Sequence, residues 1–129
     1  MIVVDSSVWI SHFRGDLTES VLKLRALPGP DDILMGDLIL LELLQGARND
    51  THAARIEREF ERFTVATMLG APLVAQSAEN YRRLRRLGIT VRKTVDVIIG
   101  TFCIEGRHRL LHGDRDFNQM VRHLGLQVV

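Results

Sequence analysis

Residues 1–10 read MIVVDSSVWI, in which a run of β-branched residues meets a carboxylate and two serines. The apolar run Ile2–Val4 is typical of a short buried strand. Asp5 and the serines after it are typical of a helix N-cap, because short polar side chains accept hydrogen bonds from free backbone N–H groups. These residues therefore predict a strand that passes directly into a helix, and the same step recurs along the chain.

Strand and helix patterns alternate over the rest of the sequence. The predicted strands are residues 2–4, 33–35, 63–68, 109–112 and 126–129, and the further predicted helices are 19–27, 37–47, 51–63, 72–88, 94–105 and 114–124. Gly88 and Gly106 are predicted to end two of these helices, since glycine readily adopts the left-handed conformation found there. The alternation favours one α/β domain over residues 1–129, with a central parallel sheet flanked by helices.

Composition excludes several classes of protein. The chain has 17 Lys+Arg and 16 Asp+Glu, so its net charge of +1 rules out nucleic-acid binding by bulk positive charge alone. A hydrophobic content of 46% argues against a disordered segment. The single cysteine, Cys103, excludes an intrachain disulfide and a cysteine-rich zinc site, and it favours a reducing compartment. No apolar run approaches the ~18 residues of a membrane helix.

Three aspartates follow predicted strands. Asp5 comes directly after the first strand, Asp114 follows residues 109–112 after one glycine, and Asp116 comes two residues later. Ligands of parallel sheets bind beyond the carboxyl ends of the strands, which is where these aspartates are expected. Helix capping is the alternative interpretation, because aspartate is a favoured N-cap residue.

Two further acids lie in apolar helices. Glu42 is surrounded by leucines and an isoleucine that cover nearly the whole helix circumference, so we expect no broad solvated face for it. Asp96 shares a stripe with the small residues Gly100 and Cys103, which are expected to bring it close to the sheet. In the alternative interpretation, Glu42 pairs with an arginine or lies at an edge. Asp96 would then be an ordinary first-turn aspartate that the helix dipole favours.

Together these acids predict a metal site at one rim of the sheet. Carboxylates a few Å apart repel one another, and their pKa values rise unless a cation is present. All-oxygen ligands suit Mg²⁺ or Mn²⁺ rather than zinc. Such sites are typical of enzymes that break phosphodiester bonds.

Four motifs in this order resemble the PIN-domain nucleases, and within them the VapC-type toxins of prokaryotic toxin–antitoxin pairs. The motifs are IVVDSSVWI at residues 2–10, LELLQG at 41–46, TVR with DVII at 90–92 and 96–99, and LLHGDRDF at 110–117. The resemblance extends over essentially the whole chain. It implies a single α/β domain whose acidic pocket binds Mg²⁺ or Mn²⁺ and cleaves RNA.

The resemblance also assigns individual residues. The catalytic and metal-binding positions of the family match four acids: Asp5, Glu42, Asp96 and Asp114. Asp116 matches an auxiliary acid, and Ser7 matches a small hydroxyl residue that orients the first carboxylate. The family often has threonine in place of His112 and a longer polar residue in place of Gly113, so this loop departs from the family pattern.

Partners follow from the same resemblance. It implies a VapB-type antitoxin whose C-terminal segment wraps the toxin and places a basic residue in the acidic pocket. It also implies a homodimer in the cytoplasm of a prokaryote, without a membrane anchor. The alternative is a catalytically inactive PIN-like module that binds RNA or a protein, which is disfavoured because none of the expected acids is missing.

A run of basic residues precedes the Asp96 helix. Arg82, Arg85 and Arg86 share a helix face through their i+3 and i+4 spacing, and Arg92 lies just before the next helix. We predict that these arginines contact RNA phosphates. The alternative is an ordinary solvated helix face, or arginines paired with the glutamates of residues 57–61.

Overall fold

Five short parallel strands form the central sheet. They are β1 (Ile2–Val4), β2 (Ile33–Gly36), β3 (Val65–Ala66), β4 (Arg109–Leu111) and β5 (Gln127–Val128). The strand order is β3-β2-β1-β4-β5, and each neighbouring pair is parallel, with Val3 of β1 opposite Leu34 on one side and Leu110 on the other. The structure is a computed structural model that describes residues 1–129. It places β1 at the centre.

Seven α-helices connect and flank these strands. They are α1 (Ser6–Phe13), α2 (Glu19–Arg25), α3 (Asp37–Gln45), α4 (Asp50–Phe60), α5 (Ala71–Arg86), α6 (Thr94–Gly106) and α7 (Asn118–Leu124). Two short 3-10 turns, Pro30–Asp32 and Arg115–Phe117, precede β2 and α7. The prediction of an α/β fold with a central parallel sheet is confirmed. None of the helices combines the length and the apolar character needed to cross a membrane.

Element ends differ from the predicted ones in a few places. Gly88 has a φ of +78° and ends α5 as predicted, but α6 continues through Gly106, and Arg107 takes the left-handed conformation at a φ of +55°. At Gly106 a Cβ would lie 2.6 Å from the His108 ring, so this ring lies directly over the glycine. The predicted helix over 114–124 divides into a 3-10 turn and α7.

The core is one cluster of 24 buried hydrophobic residues, centred on β1 and β4. Helix α3 turns Ile39 and Leu43 into this core, whereas Leu41 is 49% exposed. Glu42 itself is only partly exposed, in keeping with the expectation that no broad solvated face remains for it. The helix packs on β2, α1 and α4.

Helix α6 packs between α5 and the loop and helix that follow β4. Its stripe of Asp96, Gly100 and Cys103 is buried as predicted. We expected Gly100 to allow close contact with the sheet. A Cβ at Gly100 would instead collide with Sδ of Met120, so this glycine allows close contact with α7. A buried hydrogen bond of 2.9 Å from Asn80 to Thr101 joins α5 to α6. These contacts hold the middle of α6, one turn beyond Asp96, against its neighbours.

Candidate active site

Sheet topology brings the ends of β1 and β4 to the same edge. The strands are parallel neighbours, so their carboxyl ends point the same way. Asp5 directly follows β1, and Asp114 follows β4 after two residues. The first turn of α6 supplies Asp96, and the middle of α3 supplies Glu42. Four separate segments thus meet at one rim.

Ser7 holds Asp5 in place. Oδ2 of Asp5 accepts hydrogen bonds from the backbone N–H of Ser7 at 3.1 Å and from its hydroxyl at 2.5 Å. The same hydroxyl accepts a bond of 3.2 Å from the backbone N–H of Gly113, which joins the end of β1 to the loop after β4. A Cβ at Gly113 would lie 3.2 Å from the hydroxyl of Ser20, so α2 leaves little room for a side chain there.

The loop after β4 orders Asp114 and Asp116. Oδ1 of Asp114 accepts a bond of 2.9 Å from the backbone N–H of Asp116. Nδ1 of His112 accepts a bond of 3.3 Å from the N–H of Asp114, and the His112 ring packs against Phe117. Burial lowers the pKa of His112, which favours the neutral imidazole that this accepted bond requires. His112 therefore supports the loop.

Glu42 is held by a second serine. The hydroxyl of Ser6 donates a hydrogen bond of 3.3 Å to Oε1 of Glu42. Burial raises the pKa of Glu42, and the charge of Asp5 raises it further, while the Ser6 bond and the charge of Lys93 lower it. Glu42 makes no ion pair, so it is not the arginine-paired glutamate of the alternative interpretation.

Asp96 experiences the strongest electrostatic strain of the set. Burial raises its pKa to about 7, and the charge of Asp5 is the next largest cause. Asp114 and Glu42 raise this pKa as well, whereas Lys93 opposes them. Oδ2 of Asp96 is buried and has no hydrogen-bond partner. A buried carboxyl among three other acids, with an unpartnered oxygen, is stabilised by a proton or by a bound cation.

The closest group of acids is Asp96, Asp114 and Asp116. One carboxylate oxygen from each lies within 4.8 Å of the others. The donors are all oxygen, and Asp96 also carries an unpartnered oxygen, so the group suits a divalent cation that prefers oxygen ligands. Asp5 and Glu42 lie outside the closest group, but both raise the pKa of Asp96. These five residues are called the acid pocket below.

Capping and cation binding are compatible at this rim. Asp5 caps α1 and Asp114 caps the 3-10 turn, as the alternative interpretation expected. Each cap occupies one oxygen, and neither Oδ1 of Asp5 nor Oδ2 of Asp114 makes a hydrogen bond. The capping bonds therefore orient each carboxylate and leave an oxygen available.

The predicted RNA-binding arginines are all exposed: Arg82, Arg85, Arg86 and Arg92. None of them pairs with an acid, because the only ion pairs of the structure are Lys23 with Glu19 and Arg62 with Glu59. The suggested pairing with residues 57–61 is therefore wrong, and a free, solvated face remains. A seven-residue connection leads from the end of α5 to the start of α6, so these arginines lie at the same end of the helix pair as Asp96.

Two residues near the pocket were missing from the predicted site. Lys93 precedes α6, and its charge acts on both Glu42 and Asp96. Its position three residues before Asp96 was the available signal. Ser6 holds Glu42, but its sequence position beside Asp5 indicates only a helix start.

Comparison with known proteins identifies the family. The model of the PIN domain matches residues 2–122. The chain therefore belongs to the PIN-domain family.

Two relatives of the chain are VapC ribonucleases. The chain is 31% identical over 129 residues to Ribonuclease VapC11 of Mycobacterium tuberculosis and to VapC ribonuclease Mb1587 of Mycobacterium bovis. In each case the match covers 98% of this chain and 96% of the relative. The likeness is thus to whole VapC ribonucleases.

Solved toxin–antitoxin complexes share the fold. The chain superimposes with a TM-score of 0.76 on VapBC2 from Rickettsia felis, bound to a DNA fragment from its promoter, at 16% identity over 100% of this chain and 98% of that one. A toxin–antitoxin complex from Klebsiella pneumoniae gives a TM-score of 0.74 at 18% identity, over 100% of this chain and 96% of that one. At these identities the likeness concerns the fold.

Proposed function

We propose that this protein is a metal-dependent endoribonuclease that acts as the toxin of a toxin–antitoxin pair. The observation that carries the proposal is Asp96, a buried carboxylate with a pKa near 7 and an unpartnered oxygen. Three other acids raise its pKa, and a bound cation would relieve the repulsion among these carboxylates. The kinship with VapC ribonucleases supports RNA as the substrate.

Each acid has a distinct place in the proposed site. Asp96, Asp114 and Asp116 hold Mg²⁺ or Mn²⁺, since their oxygens lie within 4.8 Å of one another. When bound, the cation supplies an activated water and neutralises charge on the phosphate. Asp5 and Glu42 complete the negative pocket, each oriented by a serine hydroxyl.

The substrate is proposed to approach over exposed cations. Lys93 lies close enough to Glu42 and Asp96 to lower both pKa values, so its ammonium group is placed to contact a phosphate at the pocket. Arg82, Arg85, Arg86 and Arg92 carry unpaired charges at the same end of the helix pair and are proposed to guide RNA toward it.

The proposed partner is a VapB-type antitoxin. A basic antitoxin residue inserted among the acids would offset their repulsion and occupy the place of the metal. The VapBC complexes that share this fold support such a pairing. We further propose a homodimer in a prokaryotic cytoplasm, where the single Cys103 would remain reduced.

RNA cleavage by the purified chain, freed of any antitoxin, tests the proposal. Wild type is expected to cut RNA at defined sites with Mg²⁺ or Mn²⁺ and to stop when EDTA is added. The Asp5→Asn variant, prepared in the same way, controls for contaminating nucleases. Cleavage that persists in EDTA rejects the metal-dependent site, and folded protein that binds RNA without cutting it supports an inactive module instead.

A further inference from the structure

A groove of about 700 Å³ opens between α1, α3 and α4, next to the acid pocket. We call it the helical groove. Its basic side chains come from three segments that are distant in the sequence: His12 and Arg14 at the end of α1, Arg48 after α3, and His52 and Arg55 in α4. Glu42 lines the groove and also belongs to the acid pocket, so the two adjoin at this residue.

The cations of the helical groove are not neutralised. Arg14, Arg48 and Arg55 are exposed, and none of them makes an ion pair. Glu59 also lines the groove, but Arg62 binds it at 3.6 Å from outside. Three guanidinium groups therefore face solvent along a concave surface that leads to a carboxylate site.

The groove also exposes an aromatic ring that is fixed in place. Phe13 is 45% exposed, and its ring stacks on Trp9 at 6.2 Å with an angle of 24° between planes. Phe60 contacts the same ring at 5.9 Å. Ile10 lies nearby in the groove and is 38% exposed. A rigid, half-exposed ring offers a surface on which an unstacked base can stack.

We propose that the helical groove binds an unpaired strand of RNA. The phosphates contact Arg14, Arg48 and Arg55, a base stacks on Phe13, and the strand enters the acid pocket past Glu42. The inference rests on the proposed function, because it takes RNA as the substrate of the pocket. It goes beyond that function by naming a path for the strand that is distinct from the α5 arginines.

Single-stranded RNA fits this surface better than an acidic peptide does. The acidic side chains of such a peptide would pair with the guanidinium groups and leave the ring unused, whereas single-strand binding sites combine cations along the backbone with aromatic platforms. A continuous duplex keeps its bases stacked and presents none to Phe13. The mixture of charge and exposed ring therefore favours an unpaired strand.

Binding of a labelled single-stranded RNA to the Asp96→Asn protein in EDTA tests the path without turnover. Fluorescence anisotropy should show that Arg48→Ala and Arg55→Ala each weaken binding by about tenfold and each reduce the salt slope by about one. Phe13→Leu should weaken binding by about tenfold, while Phe13→Tyr, which keeps the ring, should stay within about twofold.

Arg58→Ala is the matched control. Arg58 is exposed and unpaired on the same helix as Arg55, but it does not line the groove. Its loss should change the affinity by less than about twofold. Equal losses in Arg55→Ala and Arg58→Ala, or unchanged affinity in the groove variants, would overturn the proposed path.

Competition separates RNA from other occupants. Unlabelled duplex RNA and a glutamate-rich peptide of equal charge should each displace the strand at least about tenfold less well than single-stranded RNA. Equal displacement by the peptide overturns the assignment to RNA. Because binding is measured without metal, a wild type that fails to cleave rejects the proposed function while leaving the groove result intact.

Discussion

The acid pocket and the helical groove share Glu42 but are built in opposite ways. In the pocket, hydrogen bonds fix the carboxylates of Asp5 and Asp114, and Asp96 is buried. In the groove, the guanidinium groups are exposed and unpaired. Bond-breaking chemistry needs charges at fixed positions, whereas steering a flexible strand needs only charge of the right sign. Changes in the pocket should therefore abolish turnover, and changes in the groove should weaken affinity.

The largest expected effect is the loss of cleavage when a pocket acid is neutralised. Asp96→Asn or Asp114→Asn removes a proposed metal ligand, and RNA cleavage should fall by about 10³-fold, since such a metal contributes several kcal/mol to the transition state. The measurement is kcat on a defined RNA at saturating Mn²⁺.

Asp37→Asn is the control for this loss. Asp37 opens α3 after β2, but its Oδ1 accepts a bond of 3.0 Å from the backbone N–H of Met68, and asparagine keeps that acceptor. Cleavage should remain within about threefold of wild type. A loss as large as that of Asp96→Asn would contradict the assignment of Asp96 to the metal site and of Asp37 to the fold.

The second prediction concerns stability and pH without metal. The pKa of Asp96 rises from 3.8 to about 7 on folding, so between these values the unfolded chain releases a proton that the folded chain retains. Raising the pH across this window therefore destabilises the fold, by up to about 4 kcal/mol through this group. The stabilising contribution is complete below pH 4 and lost above pH 7.

Chemical denaturation of wild type and Asp96→Asn in EDTA measures this effect. The variant cannot ionise at position 96, so its advantage in unfolding free energy over wild type should grow between pH 4 and pH 8. A difference in unfolding free energy that stays constant across this range would contradict the raised pKa of Asp96.

A third, smaller effect is expected from Ser7→Ala. The change removes one bond to Asp5 and the bond from Gly113, which together align the ends of β1 and β4. Groups that orient a metal ligand typically affect activity by 10- to 100-fold, so we expect kcat to fall by about tenfold with little change in KM. An increased KM at unchanged kcat would instead place Ser7 in substrate binding.

The smallest predicted effect is that of Ser6→Ala. The Ser6 bond lowers the pKa of Glu42, so its removal raises that pKa further. If ionised Glu42 serves the reaction, the acidic limb of the pH–rate profile shifts to higher pH, while the plateau falls by less than about tenfold. An unmoved acidic limb would show that Glu42 does not control it.

Strand order made part of the pocket predictable. Asp5 and Asp114 follow β1 and β4, and alternating strands and helices were sufficient to place both at one edge. Asp37 follows β2 in the same way, yet it bonds to Met68 and serves the fold. Sequence position does not separate these cases, because the difference lies in what faces each side chain. The same limit applies to Asp116, whose place in the closest group depends on the turn after β4.

The helical groove could not have been predicted from spacing. Arg14, Arg48 and Arg55 belong to three segments that meet only after folding, and no pattern connects them in the sequence. The arginines of residues 82–92 were conspicuous because they lie close together in the chain. Likewise, the apolar pattern of α3 did not reveal that Leu41 is exposed, because the pattern does not say which neighbours the helix has.

The most direct test is to locate the cation itself. Crystals of the chain soaked in Mn²⁺ should give an anomalous difference peak among the carboxylates of Asp96, Asp114 and Asp116, and crystals of Asp114→Asn should lose it. A peak elsewhere, or an empty acid pocket at Mn²⁺ concentrations that support RNA cleavage, would contradict the account.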